Sequence, residues 1–318
     1  MLRFCATTQV ASQSKRRRLV LAQAVLILAS YPAQAIVFQD ATAQSAGLGA
    51  GQSFLDGEAA LTISMSDNTT GGCTGSLLAG GLYVLTAAHC VTGGSNNLLA
   101  SVISLSFANV GLSLTATQYV VDPTWTGNLL DGGDLALIKL SAPVTTITGY
   151  TLDTAGSLVG AAVVMAGYGN TGVGATGYVG GSFGVLRYGR NVYDGTYSDV
   201  PSVYASDFDK VGTSAYNAFG PGAVGSDEAL IAPGDSGGGS LVQIGNTWEL
   251  VGVHDFIGCV TTNCTPNSSF GQIAGDSSVY ANQAWLASVL NVPEPGTATL
   301  AVVALAGLAV AVRRRRIR

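Results

Sequence analysis

Charge is what this sequence lacks most. Only 10% of its 318 residues are Asp, Glu, Lys or Arg, against ~25% in an average soluble domain. With so few charges and so much glycine, a long coiled coil is excluded. There are only two histidines, so a metal centre is poorly supplied. No cysteine pair has the CxxC spacing of a zinc site. No Pro- or Ser-rich linker and no fixed-period repeat divides the chain. General disorder is excluded by the 47% apolar content. What is abundant is glycine, 43 residues, about twice the usual ~7%. Together with Thr, Ser and Val it predicts many short strands joined by tight turns.

The net charge of −5 conceals a segregation. Ten of the fourteen basic residues lie before residue 36 or after residue 312. The middle keeps Lys139, Arg187, Arg190 and Lys210 against eighteen acids, a formal charge of −14. Phosphate backbones repel such a body, so nucleic acid is excluded as a partner.

Both ends read as addresses. Lys15-Arg16-Arg17-Arg18 precedes an apolar run, Leu19 to Leu28, and Ala33-Gln34-Ala35 follows as a small-x-small cleavage site. Residues 1–35 are therefore expected to be a secretory signal peptide cut by signal peptidase. At the other end, Thr297 to Val312 is charge-free and apolar and runs directly into Arg313-Arg314-Arg315-Arg316. Such a segment forms a short transmembrane helix with its arginines on the cytoplasmic side and the body outside. Val292-Pro293-Glu294-Pro295-Gly296 leads into it. Pro-Glu-Pro, apolar segment and Arg cluster, in that order over 292–318, resemble a PEP-CTERM sorting signal. The resemblance implies a Gram-negative host, transient membrane anchoring and removal of the tail by an exosortase-type sorting enzyme at the cell envelope.

Cys5 falls in the leader, and Cys73, Cys90, Cys259 and Cys264 remain. An even count in an exported chain predicts two disulfides, with three possible connectivities. The body, 36–291, reads as one domain. Strands are expected at 60–65, 82–86, 101–107, 116–121, 135–140, 161–166 and 248–254, separated by Gly, Asn and Asp clusters. Only 281–290 has helical spacing, with Trp285, Leu286, Val289 and Leu290 on one stripe.

Three segments carry chemistry. Leu85-Thr86-Ala87-Ala88-His89-Cys90 ends a strand with a histidine. Asp134-Leu135-Ala136-Leu137 opens a strand with a carboxylate. Gly234-Asp235-Ser236-Gly237-Gly238 sets a serine in a loop that glycine lets bend. Together, in the order His, Asp, Ser, they resemble the trypsin/chymotrypsin family of serine endopeptidases; other Ser-His-Asp families run in other orders. Ala166-Gly167-Tyr168-Gly169 and Ser278-Val279-Tyr280 before the closing helix resemble further family segments. The match covers most of 59–291 and is weakest over 170–230.

The resemblance implies an all-β fold of two six-stranded antiparallel barrels with a short C-terminal helix. It implies His89 as general base, Asp134 as its orienting carboxylate, Ser236 as nucleophile, and the N–H groups of Gly234 and Ser236 as oxyanion hole. No cofactor is needed, and the substrates are proteins or peptides. It implies a Cys73–Cys90 disulfide at the histidine turn, and a local Cys259–Cys264 bridge then stiffens the pocket wall. Six residues before the serine, where many trypsins have aspartate, stands Leu230, so Arg/Lys specificity is not expected. Asp227 and Glu228 are near in sequence but off that position. Cleavage after Ala35 leaves Ile36-Val37 as a new N-terminus, and in the family such an end inserts its ammonium beside the aspartate preceding the serine, here Asp235. His254 is expected to be structural; Asp255, before Phe256, replaces the family's usual serine. The competing readings are a catalytically silent surface or extracellular-matrix protein on the same scaffold, and an esterase using the same triad.

Overall fold

A computed structural model describes residues 35–94, 98–219 and 223–290. Residues 1–34 of the expected leader 1–35, and the expected sorting tail and transmembrane segment, 292–318, lie outside the described residues. Two large curled sheets dominate. The first has seven strands in the order Leu112–Ala116, Ala100–Phe107, Glu58–Met65, Thr70–Leu77, Tyr83–Thr86, Ala136–Lys139 and Gln118–Val121. Its two edge strands are consecutive in the chain and separated by Thr117 alone. The run expected as one strand over 116–121 is thus broken there. The chain changes partner from Ala100–Phe107 to Ala136–Lys139, and the sheet curls towards itself.

The second sheet runs Arg187–Val192, Ala162–Gly167, Gly239–Ile244, Thr247–Cys259, Gln272–Ser278, Val203–Asp207 and Gly195–Thr196, with Thr151–Leu152 beside Thr247–Cys259. The two sheets build a chymotrypsin-like double barrel, mostly β with few helices. Sequence pattern explains half-buried strands better than fully buried ones. In Ala100–Phe107, Ile103, Leu105 and Phe107 are buried while Val102, Ser104 and Ser106 face water, the period of a half-buried strand. Thr247–Cys259 is instead buried over a continuous stretch from Leu250 to Phe256, since it is covered on both faces. Its pairing with Gln272–Ser278 shifts between His254 and Phe256, so Asp255 is a bulge residue.

A third, small sheet holds Ile36–Phe38 between Thr171–Val173 and Ala229–Leu230, with Gly177–Val179 at its edge. All three residues of Ile36–Phe38 are buried. Helices depart from expectation. The closing helix spans Gln283–Leu290, with Leu286 buried, but it is not the only one. Ala41–Ala46 is helical because Asp40 caps it, its Oδ1 accepting from the N–H groups of Thr42 and Ala43 at 2.8 and 2.9 Å. Ala88–Thr92 makes one turn that stops at Gly93, φ 62°. Both are too short to show a helical period. Among the described residues no helix is long and apolar enough to cross a membrane.

Candidate active site

His89 sits in the Ala88–Thr92 turn directly after the strand Tyr83–Thr86. The neighbouring strand places Asp134. Thr86 pairs with Ala136 in antiparallel register, so the residues just after Thr86 and those just before Ala136 leave the sheet at the same end, which brings the His89 turn to Asp134. The carboxylate, fully buried, grips the turn twice: Oδ1 accepts from the His89 N–H at 2.8 Å, and Oδ2 lies 2.6 Å from His89 Nδ1. A proton on Nδ1 satisfies that contact and leaves the Nε2 lone pair free. The Cys73–Cys90 disulfide ties the turn to the strand Thr70–Leu77. Cys73, His89 and Cys90 lie close together, but both sulfurs are consumed in the disulfide, which leaves one imidazole and no thiolate to hold a metal.

Ser236 lies on the loop between Ala229–Leu230 and Gly239–Ile244. Gly237 must be glycine: its φ is 81°, and a Cβ there would collide with Thr86 Oγ1. Thr74 holds the loop from the first sheet. Its N–H donates to Ser236 O at 2.8 Å and its Oγ1 to Gly234 O at 2.9 Å. The Cys90 sulfur lies 3.6 Å from the Ser236 backbone oxygen and 3.8 Å from His89 Nε2, so the serine loop and the imidazole both border the disulfide. The Ser236 hydroxyl makes no hydrogen bond among the described residues. Neither do the amides of Gly234 and Ser236 donate one there.

Asp235 turns inward and is fully buried. Oδ1 accepts from Gly169 N at 2.7 Å; Oδ2 accepts from Ala232 N at 2.8 Å and faces Ile36 N at 3.3 Å. Burial pushes its pKa up to about 6, against the hydrogen bonds from Ala232 and Gly169 and the charge of His254. Ile36 has φ 61°, a conformation that β-branched residues avoid. Among the described residues, the other non-glycine residues with positive φ are Asn68, Ser198 and Ser268.

Leu230 is fully buried, paired with Val37 and packed in a core with Ile36, Val37 and Phe38. Asp227 meets Arg190 at 3.6 Å on the surface. Glu228 is buried and its two oxygens accept from the amides of Asp209 and Val224; burial pushes its pKa up to about 8. The groove of about 560 Å³ beside His89 is lined instead by Leu129, Leu130, Tyr197, Phe256 and Ile257 among others. Tyr197 stands edge-on to Phe256, centroids 5.1 Å apart. Cys259 and Cys264 are bridged, and Cys259 lines the same groove.

Two further acids lie behind the site. Asp255 Oδ2 accepts from Ser277 Oγ at 2.8 Å. Burial, then the charge of Asp134, pushes its pKa well above the usual carboxylate range. His254 is fully buried with Nδ1 2.9 Å from Asp276 Oδ1. Ser240 Oγ and Tyr193 OH donate to the other oxygen at 2.6 and 2.7 Å. Sequence reasoning missed Thr74 and the groove residues Leu129, Leu130, Tyr197 and Ile257, while it singled out Phe256 and Cys259. Gly169 had a signal in the Ala166-Gly167-Tyr168-Gly169 segment.

Comparison with known proteins agrees with this architecture. Residues 50–272 match the trypsin family, and the chain belongs to that family. Residues 291–316 match the PEP-CTERM protein-sorting motif, a signal for export and sorting at the Gram-negative cell envelope. A solved structure of HL collagenase is similar in fold: TM-score 0.56 and 19% identity, over 78% of this chain and 99% of that one. No curated protein matches.

Proposed function

We propose that the chain is an exported serine endopeptidase whose mature body, 36–291, hydrolyses peptide bonds through an acyl-enzyme on Ser236. The observation that carries this reading is the His89 imidazole held 2.6 Å from a fully buried Asp134 carboxylate, beside a serine loop whose Gly234 and Ser236 amides are unspent. His89 Nε2 takes the Ser236 proton as Oγ bonds to the substrate carbonyl carbon. The carbonyl oxygen gains the negative charge between the two amides, each donor worth roughly 2.7–4 kcal/mol. The C–N bond then breaks, and Nε2 returns the proton to the leaving amine. Water repeats the sequence to free the acid.

Uncharged specificity is supported by the apolar groove and by Asp227 and Glu228 being engaged elsewhere. The Ile36 N to Asp235 contact supports an activating N-terminus created by cleavage after Ala35. The sorting motif supports export with a tail anchored transiently and removed by an exosortase-type enzyme. Phosphonate labelling of the mature protein, with Ser236→Ala as control, tests the nucleophile, and peptide hydrolysis compared with ester hydrolysis tests the bond cleaved. A wild type that neither labels nor cuts peptides would sink the proposal and leave a silent scaffold.

A further inference from the structure

Phe183 lies in the segment between Gly177–Val179 and Arg187–Val192, far in sequence from the three triad segments, yet it touches the serine loop at Gly234 and the strand Thr70–Leu77 at Gly72. A Cβ placed on Gly234 would come within 2.8 Å of Phe183 Cδ2, and one placed on Gly72 within 3.0 Å of its Cε2 and Cζ. The half-buried ring therefore rests on two bare backbones at once. One belongs to a proposed oxyanion donor; the other is the residue before Cys73. The segment is fastened to the same machinery. Ser182 N donates to Asn170 Oδ1 at 2.9 Å, and the Asn170 amide donates to Pro233 O at 2.8 Å. Gly184 N donates to Tyr168 O at 2.7 Å. Thr171 N donates to Ser182 Oγ at 3.0 Å, and Thr171 pairs with Ile36.

The ring's side of the site follows from proton transfer. The leaving amine takes its proton from His89 Nε2, so it departs next to that nitrogen. The Cys90 sulfur lies 3.8 Å from Nε2 and is bonded to Cys73, whose neighbour Gly72 carries the Phe183 ring. Phe183, Gly72, Cys73 and Cys90 do not line the groove of Leu129, Leu130, Tyr197 and Phe256, which meets His89.

We propose that Phe183 is a positioning and specificity residue of the leaving-group side: its ring holds the Gly234 peptide in place and forms the apolar wall met by the side chain that follows the scissile bond. This rests on the peptidase reading and names the substrates it favours, peptides with a bulky apolar residue just after the cut bond. Gly72 keeps room for the ring, and Phe183 supplies from a distant loop the wall that position 72 lacks.

The test is partition of the acyl-enzyme. Wild type, Phe183→Ala and Phe183→Leu are first titrated with a phosphonate to count competent Ser236. Each is then acylated with one activated ester in the presence of glycinamide, leucinamide or phenylalaninamide, and aminolysis and hydrolysis products are quantified. Wild type should prefer the two bulky amides over glycinamide. Phe183→Ala should lose that preference about tenfold, the factor that ~1.4 kcal/mol carries, and Phe183→Leu should restore most of it. A purely structural role would lower the titrated fraction and leave the preference per competent site unchanged. An unchanged preference in Phe183→Ala overturns the proposal. If the alanine variant gives no competent sites, a Phe183→Leu ratio equal to that of a Phe183→Ser variant with measurable sites does so. Failure of wild type to titrate at all overturns the peptidase reading itself.

Discussion

A protein that begins at Ile36 should be active, and one that begins at Ala35 should not. In the uncut chain the group facing Asp235 is an amide. A fully buried carboxylate then has three N–H donors and no cation partner beyond the coulombic influence of His254. Its pKa of about 6 against 3.8 amounts to ~3 kcal/mol lost once it ionises. Because the folded value is raised, that contribution is fully present below pH ~4 and is lost as pH rises through about 6. The uncut chain also holds Ile36 at φ 61°, which costs roughly 1–2 kcal/mol. Cleavage after Ala35 abolishes that torsion, because a terminal residue has no preceding carbonyl carbon. It also turns the amide into an ammonium 3.3 Å from the carboxylate.

Breaking a buried pair of this kind costs ~3–5 kcal/mol, which corresponds to roughly two to three and a half orders of magnitude in the population of the ordered Gly234 loop. An α-amino group with an unperturbed pKa of ~7.7–8.0 is raised by such a partner. The mature form is therefore stabilised below ~pH 8 and loses this support as pH rises through the raised value. The assay compares kcat/KM and phosphonate labelling rates for proteins beginning at Ile36, at Ala35, and at Ile36 with the amine acetylated. Thermal melts from pH 4 to 7 accompany it, and the extended form should fall behind the mature one across that range. Full activity of the extended or acetylated protein would refute the reasoning.

Ser236→Ala, His89→Ala and Asp134→Asn should each lower kcat by at least ~10³–10⁴, with double variants losing little more; near-normal turnover in a single variant removes that residue from the mechanism. Cleavage sites profiled in a proteome should follow uncharged residues, and a profile dominated by Arg or Lys would turn attention to Asp227, Glu228 and Asp255. Intact mass of the secreted protein should lack Val312 to Arg318; a complete tail would mark a permanent anchor. Replacing His254 by Ala leaves Asp276 buried without its partner and should cost ~3–5 kcal/mol in thermal or denaturant unfolding near pH 5 to 6. Burial alone would depress the His254 pKa, but Asp276 and the charges of Asp235 and Glu58 hold it raised. Burial alone would raise Asp276, but His254 and the Ser240 and Tyr193 hydroxyls hold it lowered. The pair's support thus fades as pH rises through the raised imidazole value and as pH falls through the lowered carboxyl value; a variant deficit constant from pH 3 to 9 would contradict it.

Much of the first sheet is readable from residue order: Ala100–Phe107 and Leu112–Ala116 bury one face with the period of two, and Tyr83–Thr86 and Ala136–Lys139 are short, mostly apolar runs that are largely buried. Thr70–Leu77 is the exception. Thr-Gly-Gly-Cys-Thr-Gly has neither β propensity nor alternation, and it is a strand because Glu58–Met65 and Tyr83–Thr86 pair with its two sides. The helix Ala41–Ala46 rests on one capping carboxylate rather than on a stripe, since none of its residues is buried. The spacing of His89, Asp134 and Ser236 is legible for a physical reason: each sits at the end of a strand or in a glycine turn, where local chemistry is written in adjacent letters. The Thr86–Ala136 register turns that local chemistry into the His89–Asp134 contact.

The residues that shape the cleft leave no such trace, since they act across long separations. Leu230 stands six places before Ser236, but its neighbours are set by pairing with Val37, nearly two hundred residues away, and that pairing takes it into the core. Asp255 is next to Phe256 in sequence, yet a one-residue bulge divides them: Asp255 takes the Ser277 hydroxyl while Phe256 faces Tyr197 and the groove. An unbulged strand would place successive residues on opposite faces without shifting register. The extra residue lets this strand bury a carboxyl group near Asp134 and still present an aromatic ring to the cleft. Phe183 extends the same logic to the other flank, where the absence of a side chain at Gly72 and Gly234 acquires meaning only once a ring from a distant loop is seen resting on both.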